Sequence, residues 1–352
     1  ESDSYDIVLD EFRNKVEKIR HDPPLYKFMK DKTSKLTSFW SEISDSLITT
    51  DVLKSEKFKQ FMEWISAFNC CKVRIVRYSS TIFICSLLEK LTSALSWREM
   101  EIQRLKNEKD GIEKFDQIDT QISLFENEVQ LLSTTSNWIY QNLIIIRVRD
   151  VFDEIRDLAI KTLTKIIITY PTLFFDDQKL KYIGRALNDP SSINRQHSLQ
   201  CIEDIVNQFN EKNANDLSDF LEEYIPRIIE MCNDTNPEVA SATIHCLGLL
   251  VDRQYVKQQD CSFIQNLISD DSIEIKTAAS KFVSKYFFLN NEENDTIDFF
   301  VRFVQQFGLD NNLKSNCTAL FDYLQCLQNG EELCNFIIAS ENDDESYLVS
   351  SI

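Results

Sequence analysis

Five cations carry the most chemistry in this chain. Lys72, Arg74 and Arg77 fall within six residues where one long helical pattern begins, and Arg147 and Arg149 stand where a second one ends. Phosphate binding needs only cations held at suitable separations, so such a set suits duplex DNA. No constellation for reading base edges accompanies them, and the binding expected is independent of sequence and steeply salt-dependent. The same cations have Asp150, Asp153 and Glu154 close by, with which they can pair instead. A second charged group, Asp177, Lys181 and Arg185, recurs at i, i+4 and i+8 on a helix whose other face is Leu180, Ile183, Gly184 and Leu187. Asp177 before Lys181 is the favourable order for an ion pair within one helix, and Asp176 or Asp177 suits its N-cap.

Signatures of catalysis are missing. There is no glycine-rich phosphate loop, no GxSxG elbow and no HExxH, and only five glycines occur in 352 residues. Ten cysteines lack any CxxC spacing, with Cys70 and Cys71 adjacent, and read as small buried hydrophobes in a reducing compartment. His21, His197 and His245 have no ligand-like spacing, so no metal, no cofactor and no enzyme activity are expected. Apolar runs such as Leu143 to Val148 are too short to span a bilayer, and no signal peptide opens the chain, which suggests a soluble, intracellular protein with no membrane partner. Its net charge of −19 repels nucleic acid on average. Residues 145–200 nevertheless hold nine Lys or Arg against seven Asp or Glu, a local balance of +2 to which Lys161, Lys165, Lys179 and Lys181 contribute.

Long helices must position these groups, because glycine and proline are scarce and 43% of residues are apolar. Residues 1–66 read as N-terminal helices, one opened by Pro23-Pro24 and another carrying the stripe Leu36, Phe39, Trp40, Ile43 and Leu47. Residues 67–146 read as a long antiparallel helical hairpin joined near Asn107 to Gly111, with a charged outer half that projects into solvent. Such a hairpin brings Lys72, Arg74 and Arg77 close to Arg147 and Arg149. Residues 147–290 repeat themselves. An Asp followed by characteristic residues five, six, nine and thirteen further on recurs from Asp150, Asp189, Asp234 and Asp270, at spacings of 39, 45 and 36 residues. That period is close to the HEAT repeat, in which the Asp is expected to cap the second helix of a pair and the small residue to let helices approach. The fold class predicted is all-α, a HEAT-repeat-type helical solenoid with an N-terminal helical cap, and residues 291–352 read as further helices of the same solenoid. Glu341 to Glu345 reads as a solvated acidic segment.

Two ordered segments make the pattern more specific. RVRDVFDEIRDLAI from Arg147, followed by TYPTLFFDDQKLKYIGRALND up to Asp189, resembles the stromalin conservative domain of the stromalin (STAG or SA) family of cohesin subunits. The hallmark of that domain is an RYRD…IR segment followed by YP..F..D.YLKYIGW.L.D. VRIVRYSSTIF from Val73 to Phe83 resembles the family's FRHT-type helix start, and Phe39-Trp40 its N-terminal FW. Two aromatics of the motif are replaced, its tyrosine by Val148 and its tryptophan by Arg185. In the family those aromatics belong to a surface resembling a socket for short aromatic peptides of cohesin regulators. The resemblance implies a non-enzymatic, nuclear, chromosome-associated scaffold for sister chromatid cohesion. Its partners would be the kleisin subunit of cohesin, double-stranded DNA, and cohesin loading and release factors. Arg149, Asp177, Lys181 and Arg185 are the implied partner-binding residues. Other chromosome-associated HEAT subunits, or a karyopherin-like carrier that binds a basic localisation peptide, fit the solenoid pattern as alternatives.

Overall fold

The computed structural model describes residues 7–8, 10–12, 14–15, 32–109, 115–209 and 214–288. Pro23-Pro24, the turn at the hairpin tip, the segment 291–352 and the acidic stretch Glu341 to Glu345 lie outside the described residues. Every regular element among the described residues is helical. The chain divides into two compact units, Glu1–Gln208 and Phe209–Ile352.

In the first unit, α1 (Thr33–Leu47), α2 (Thr50–Lys54) and α3 (Glu56–Asn69) precede the hairpin. Ser55 caps α3 by accepting the Phe58 N–H at 3.1 Å, and Phe58, Met62 and Ile65 turn one face inward at i, i+4, i+7. Trp40 of α1 packs tilted against Phe83 at 5.0 Å between ring centroids, and its indole N–H donates to Ser79 at 3.2 Å. Phe39, expected on the same apolar stripe, is 53% exposed and only touches Trp40 edge-on. It stands 100° round the helix from Trp40, which carries its ring past the edge of the contact.

The hairpin consists of α4 (Arg74–Lys109) and α5 (Phe115–Ile139). The first half of α4 is apolar nearly all round, and Phe83, Ile84, Leu87, Leu88, Leu91 and Leu95 are fully buried. Its outer half is held by a thinner apolar seam of Ile102, Leu105 and Ile122, flanked by ion pairs Arg98 to Glu128 and Lys106 to Glu126. At its inner end α5 widens into a π turn, Tyr140–Ile144, and finishes as a short α6 (Ile145–Arg147). Then come α7 (Asp153–Thr169), α8 (Pro171–Phe174, with proline in its first turn), α9 (Asp177–Ala186) and α10 (Ser192–Gln208).

The second unit contains α11 (Ala214–Glu230), α12 (Pro237–Asp252) and α13 (Ile273–Val283), with 3₁₀ turns at Met231–Asn233 and Gln258–Ser269 and a π turn at Ser284–Phe288. The 3₁₀ stretch Gln258–Ser269 stands where the first helix of a repeat is expected. Gly248 of α12 lies under Tyr286, whose hydroxyl donates to the Gly248 carbonyl at 2.6 Å; a methyl group at that position would meet the hydroxyl at 3.3 Å.

The repeat frame read from the sequence is the packing frame. Small residues nine beyond each repeat Asp (Ala159, Ser198, Thr243, Ala279) are completely buried, as are Leu163, Ile202, Leu247 and Val283 thirteen beyond. The Asp itself does not cap the helix as expected. Asp150, Asp189, Asp234 and Asp270 each accept the N–H two residues on, from Phe152, Ser191, Asn236 and Ser272, at 2.8–3.0 Å. This local turn holds the residue just ahead of each helix, and Asn236 and Ser272 then cap α12 and α13.

Candidate functional site

The inner end of the hairpin meets the first repeat at one acid. Asp150 accepts from Arg77 Nε at 2.9 Å and Nη2 at 3.3 Å, and also from Arg147. All three residues are buried, with Arg77 6%, Arg147 8% and Asp150 7% exposed. Arg77 further donates to the Cys71 carbonyl at 2.5 Å. Burial pulls Arg147 below the ordinary guanidinium range, with Asp150 opposing that fall. Arg147 Nε is buried without a partner. Antiparallel pairing therefore does bring the two ends of the hairpin together, but Arg77 and Arg147 turn inward onto Asp150. Arg74 is one-fifth exposed, donates to Glu154 at 2.6 Å and lies 4.0 Å over the Phe152 ring. Of the five proposed DNA contacts, only Lys72 and Arg149 are exposed.

The chain of acid and cation continues along the first unit. Arg156 donates to the Asp150 carbonyl at 2.9 Å and grips Asp189 of the next repeat with Nε and Nη2, both at 2.6 Å. Arg195 then donates to the Asp189 carbonyl at 2.9 Å, six residues on, as Arg156 does to Asp150. The basic residue at this repeat position is thus a structural tie. Burial alone would raise the Asp189 carboxyl, but the bonds from Arg156 and the Ser191 N–H outweigh it and hold the group below its ordinary value. The folded state therefore disfavours the protonated acid. Its stabilisation is complete above the unfolded carboxylate pKa of about 3.9 and drains away as pH falls through the lower folded value. Acid unfolding monitored by circular dichroism is expected to be less steep below about pH 4 in Asp189→Asn than in the unaltered chain. Equal steepness would show that Asp189 contributes none of the acid sensitivity.

Beside this tie, a cavity of about 190 Å³ opens between α9 and the loop after α6. Val148, Arg149, Tyr182 and Arg185 line it together with Asp157 and Asp189. The guanidinium of Arg149 lies 5.7 Å from the centre of the Tyr182 ring. Asp157 is matched by Lys161 at 2.9 Å and by the His197 ring at 2.7 Å. Of the four residues implied to bind a partner, the structure brings Arg149 and Arg185 to this cavity. Asp177 and Lys181 pair with each other at 2.7 Å on α9 and are not part of its lining, while Asp176 caps that helix through the Lys179 N–H at 2.9 Å. Val148 and Arg185, the two departures from the stromalin motif, share this one cavity. Tyr182 was not among the expected site residues; its position one turn before Arg185 was the available signal.

Among the described residues no three His, Cys, Asp or Glu side chains cluster as metal ligands would. Cys71, Cys85, Cys201, Cys232, Cys246 and Cys261 are buried thiols, and burial pushes the Cys85 thiol up to about 12. No described helix is long and apolar enough to cross a membrane.

The STAG domain matches residues 26–117, the stromalin conservative domain residues 149–225 and a HEAT repeat residues 225–253. Sister-chromatid cohesion protein 3 of Arabidopsis thaliana is 26% identical over 265 residues, covering 73% of this chain and 24% of that protein. Cohesin subunit psc3 of Schizosaccharomyces pombe is 24% identical over 282 residues, 77% of this chain and 28% of its own length. The chain thus spans about a quarter of the length of these relatives. Among solved structures, the cohesin subunit Scc3 from Z. rouxii superposes with a TM-score of 0.71 at 18% identity, over 91% of this chain and 41% of that one, and shares its fold. With both stromalin domains matched in order and a HEAT repeat behind them, the chain belongs to the stromalin family.

Proposed function

We infer that this chain is part of a cohesin scaffold subunit acting in sister chromatid cohesion in the nucleus, on chromosomes. The observation that carries the reading is its match, over roughly three-quarters of its length, to proteins named as cohesion or cohesin subunits in a plant and a yeast. Its work is binding: an exposed basic ridge holds duplex DNA without reading sequence, and neighbouring repeats hold a segment of the kleisin, fastening the two to one complex. Cohesin loading and release factors dock on the same scaffold. Lys72 and Arg149 are the DNA contacts that the geometry supports best, since both are exposed, whereas Arg77 and Arg147 act from within by shaping the hairpin end.

The test is a fluorescent duplex titrated across a salt series with the unaltered chain and with Lys72→Glu/Arg149→Glu. The logarithm of the binding constant is expected to fall linearly with that of salt, and the double variant to flatten the slope by about two, near 0.9 for each lost phosphate contact. An unchanged slope would remove these residues from the DNA surface, and no binding at low salt would remove DNA from the function of this part of the protein. Charge reversal at Arg77 is unsuitable here, because it would set a second buried acid against Asp150 and confuse lost binding with unfolding.

A further inference from the structure

We propose that Cys70 is a modification site, which forms a mixed disulfide with a low-molecular-weight disulfide bearing carboxylates, of the class of glutathione disulfide. Of the seven cysteines among the described residues, Cys70 alone is exposed. Its backbone is fixed: closing α3, it donates its N–H to the Ser66 carbonyl at 3.0 Å, and the Cys71 N–H goes to the Phe68 carbonyl at 3.2 Å. Cys71 is turned the other way. Its thiol is buried and accepts the Val73 N–H at 3.3 Å, and its carbonyl is held by Arg77 at 2.5 Å. The neighbouring thiol is thus engaged inward, and an adduct on Cys70 persists in place of passing to a Cys70–Cys71 disulfide.

An exposed thiol by itself selects nothing, but the charges around this one do. Arg77 holds the Cys71 carbonyl and shares Asp150 with Arg147, so two guanidinium groups and one carboxylate lie against this turn. Arg147 is 8% exposed and its Nε has no partner. Burial disfavours the Arg147 cation, and a negative charge on Cys70 acts with Asp150 to favour it. Lys72, two residues on, is exposed. The acids nearby are already taken: Glu154 by Arg74 at 2.6 Å, and Glu11, beside the Phe12 that packs on Cys71 and Val73, by Lys15 at 3.5 Å. The turn therefore carries positive charge in surplus, which stabilises the negative charge shared among the sulfurs during exchange and draws in carboxylates. In the step, the Cys70 sulfur, its proton given to solvent, attacks one sulfur of the reagent. A new S–S bond forms, the reagent's S–S bond breaks, and the departing thiolate takes up a proton. One disulfide replaces another, so no further oxidant is needed. Such modification needs neither duplex nor kleisin, and it is tested apart from both.

The experiment incubates the full, natively folded chain with glutathione disulfide or with cystamine, a cationic disulfide, and follows each site by peptide mass spectrometry. Among the described cysteines the adduct is expected on Cys70 first, and a reducing thiol should remove it. Cys317, Cys326 and Cys334 lie outside the described residues and are followed separately. At low salt glutathione disulfide should react about tenfold faster than cystamine, the lower end of electrostatic steering, and high salt should shrink that advantage. Lys72→Gln and Arg147→Met should each reduce it about threefold, the scale of one charge a few ångströms away in water. Lys72 is exposed, so its variant reads the charge effect even where Arg147→Met loosens the turn. An adduct that forms first on a buried cysteine, a Cys70–Cys71 disulfide in its place, or no adduct at Cys70 overturns the proposal. Equal rates with the two reagents, or a preference that neither substitution moves, overturns it as well.

Discussion

Asp150→Ala is expected to lower stability by about 3–5 kcal/mol, the scale of breaking a buried ion pair from one side. Two guanidinium groups, Arg77 and Arg147, converge on this carboxylate while less than a tenth exposed, and both would keep a buried positive charge with no acid to meet it. The change would also free the Phe152 N–H that fixes the start of α7. The two arginines are not equivalent. Arg77 makes further use of its donors on Cys71, whereas Arg147 leaves Nε unpaired, so its own burial already offsets much of what its bond contributes. Arg147→Met should therefore cost less than about 1 kcal/mol, since Asp150 keeps Arg77 as its partner and the cluster loses only its surplus buried positive charge. Urea unfolding of the three proteins decides the matter. If Arg147→Met costs as much as Asp150→Ala, the acid is not the shared centre of the cluster.

The second large effect lies in the apolar contact between the N-terminal helices and the hairpin. Phe83 is fully buried, tilted against Trp40 at 5.0 Å and edge-on to Phe61 at 5.4 Å. Phe83→Ala removes a ring from the meeting point of α1, α3 and α4 and is expected to cost about 3–5 kcal/mol. Phe39→Ala, one residue from Trp40 but half exposed, should cost less than about 1 kcal/mol. Thermal unfolding of the pair checks both, and similar losses would mean that α1 is held through Phe39 instead.

Much of this was legible in the sequence because it depends on local period. Residues five, nine and thirteen beyond each Asp are one helical face, and burial at Ala159, Ser198, Thr243 and Ala279 follows from it directly. The ion pair Asp177 to Lys181 was equally visible, four residues apart on one helix. What escaped depends on long range. Arg77 and Asp150 are 73 residues apart, and the sequence offered their pairing only as a surface contact; its burial follows once the helices between them are folded back. The cavity escaped for a related reason: Tyr182 and Arg185 come from α9, Arg149 from the loop after α6 and Asp189 from the next turn of chain. The turns at the four repeat aspartates were misassigned by two residues, since sequence spacing marks where a helix is near and not which N–H the carboxylate will take.

The π turn Tyr140–Ile144 has a consequence for chain length. A π turn closes from i to i+5, one residue more than an α turn holds, and takes up that surplus in a wider loop. The helical pieces on either side keep the faces they would have without it, Ile139 inward before it and Arg147 inward after it. Loss of one residue between Tyr140 and Ile144 would tighten the winding and still deliver Arg147 to Asp150. Elsewhere in a helix a deletion turns everything beyond it by about 100°. At this point the hairpin carries a spare residue, and its length is adjustable by one.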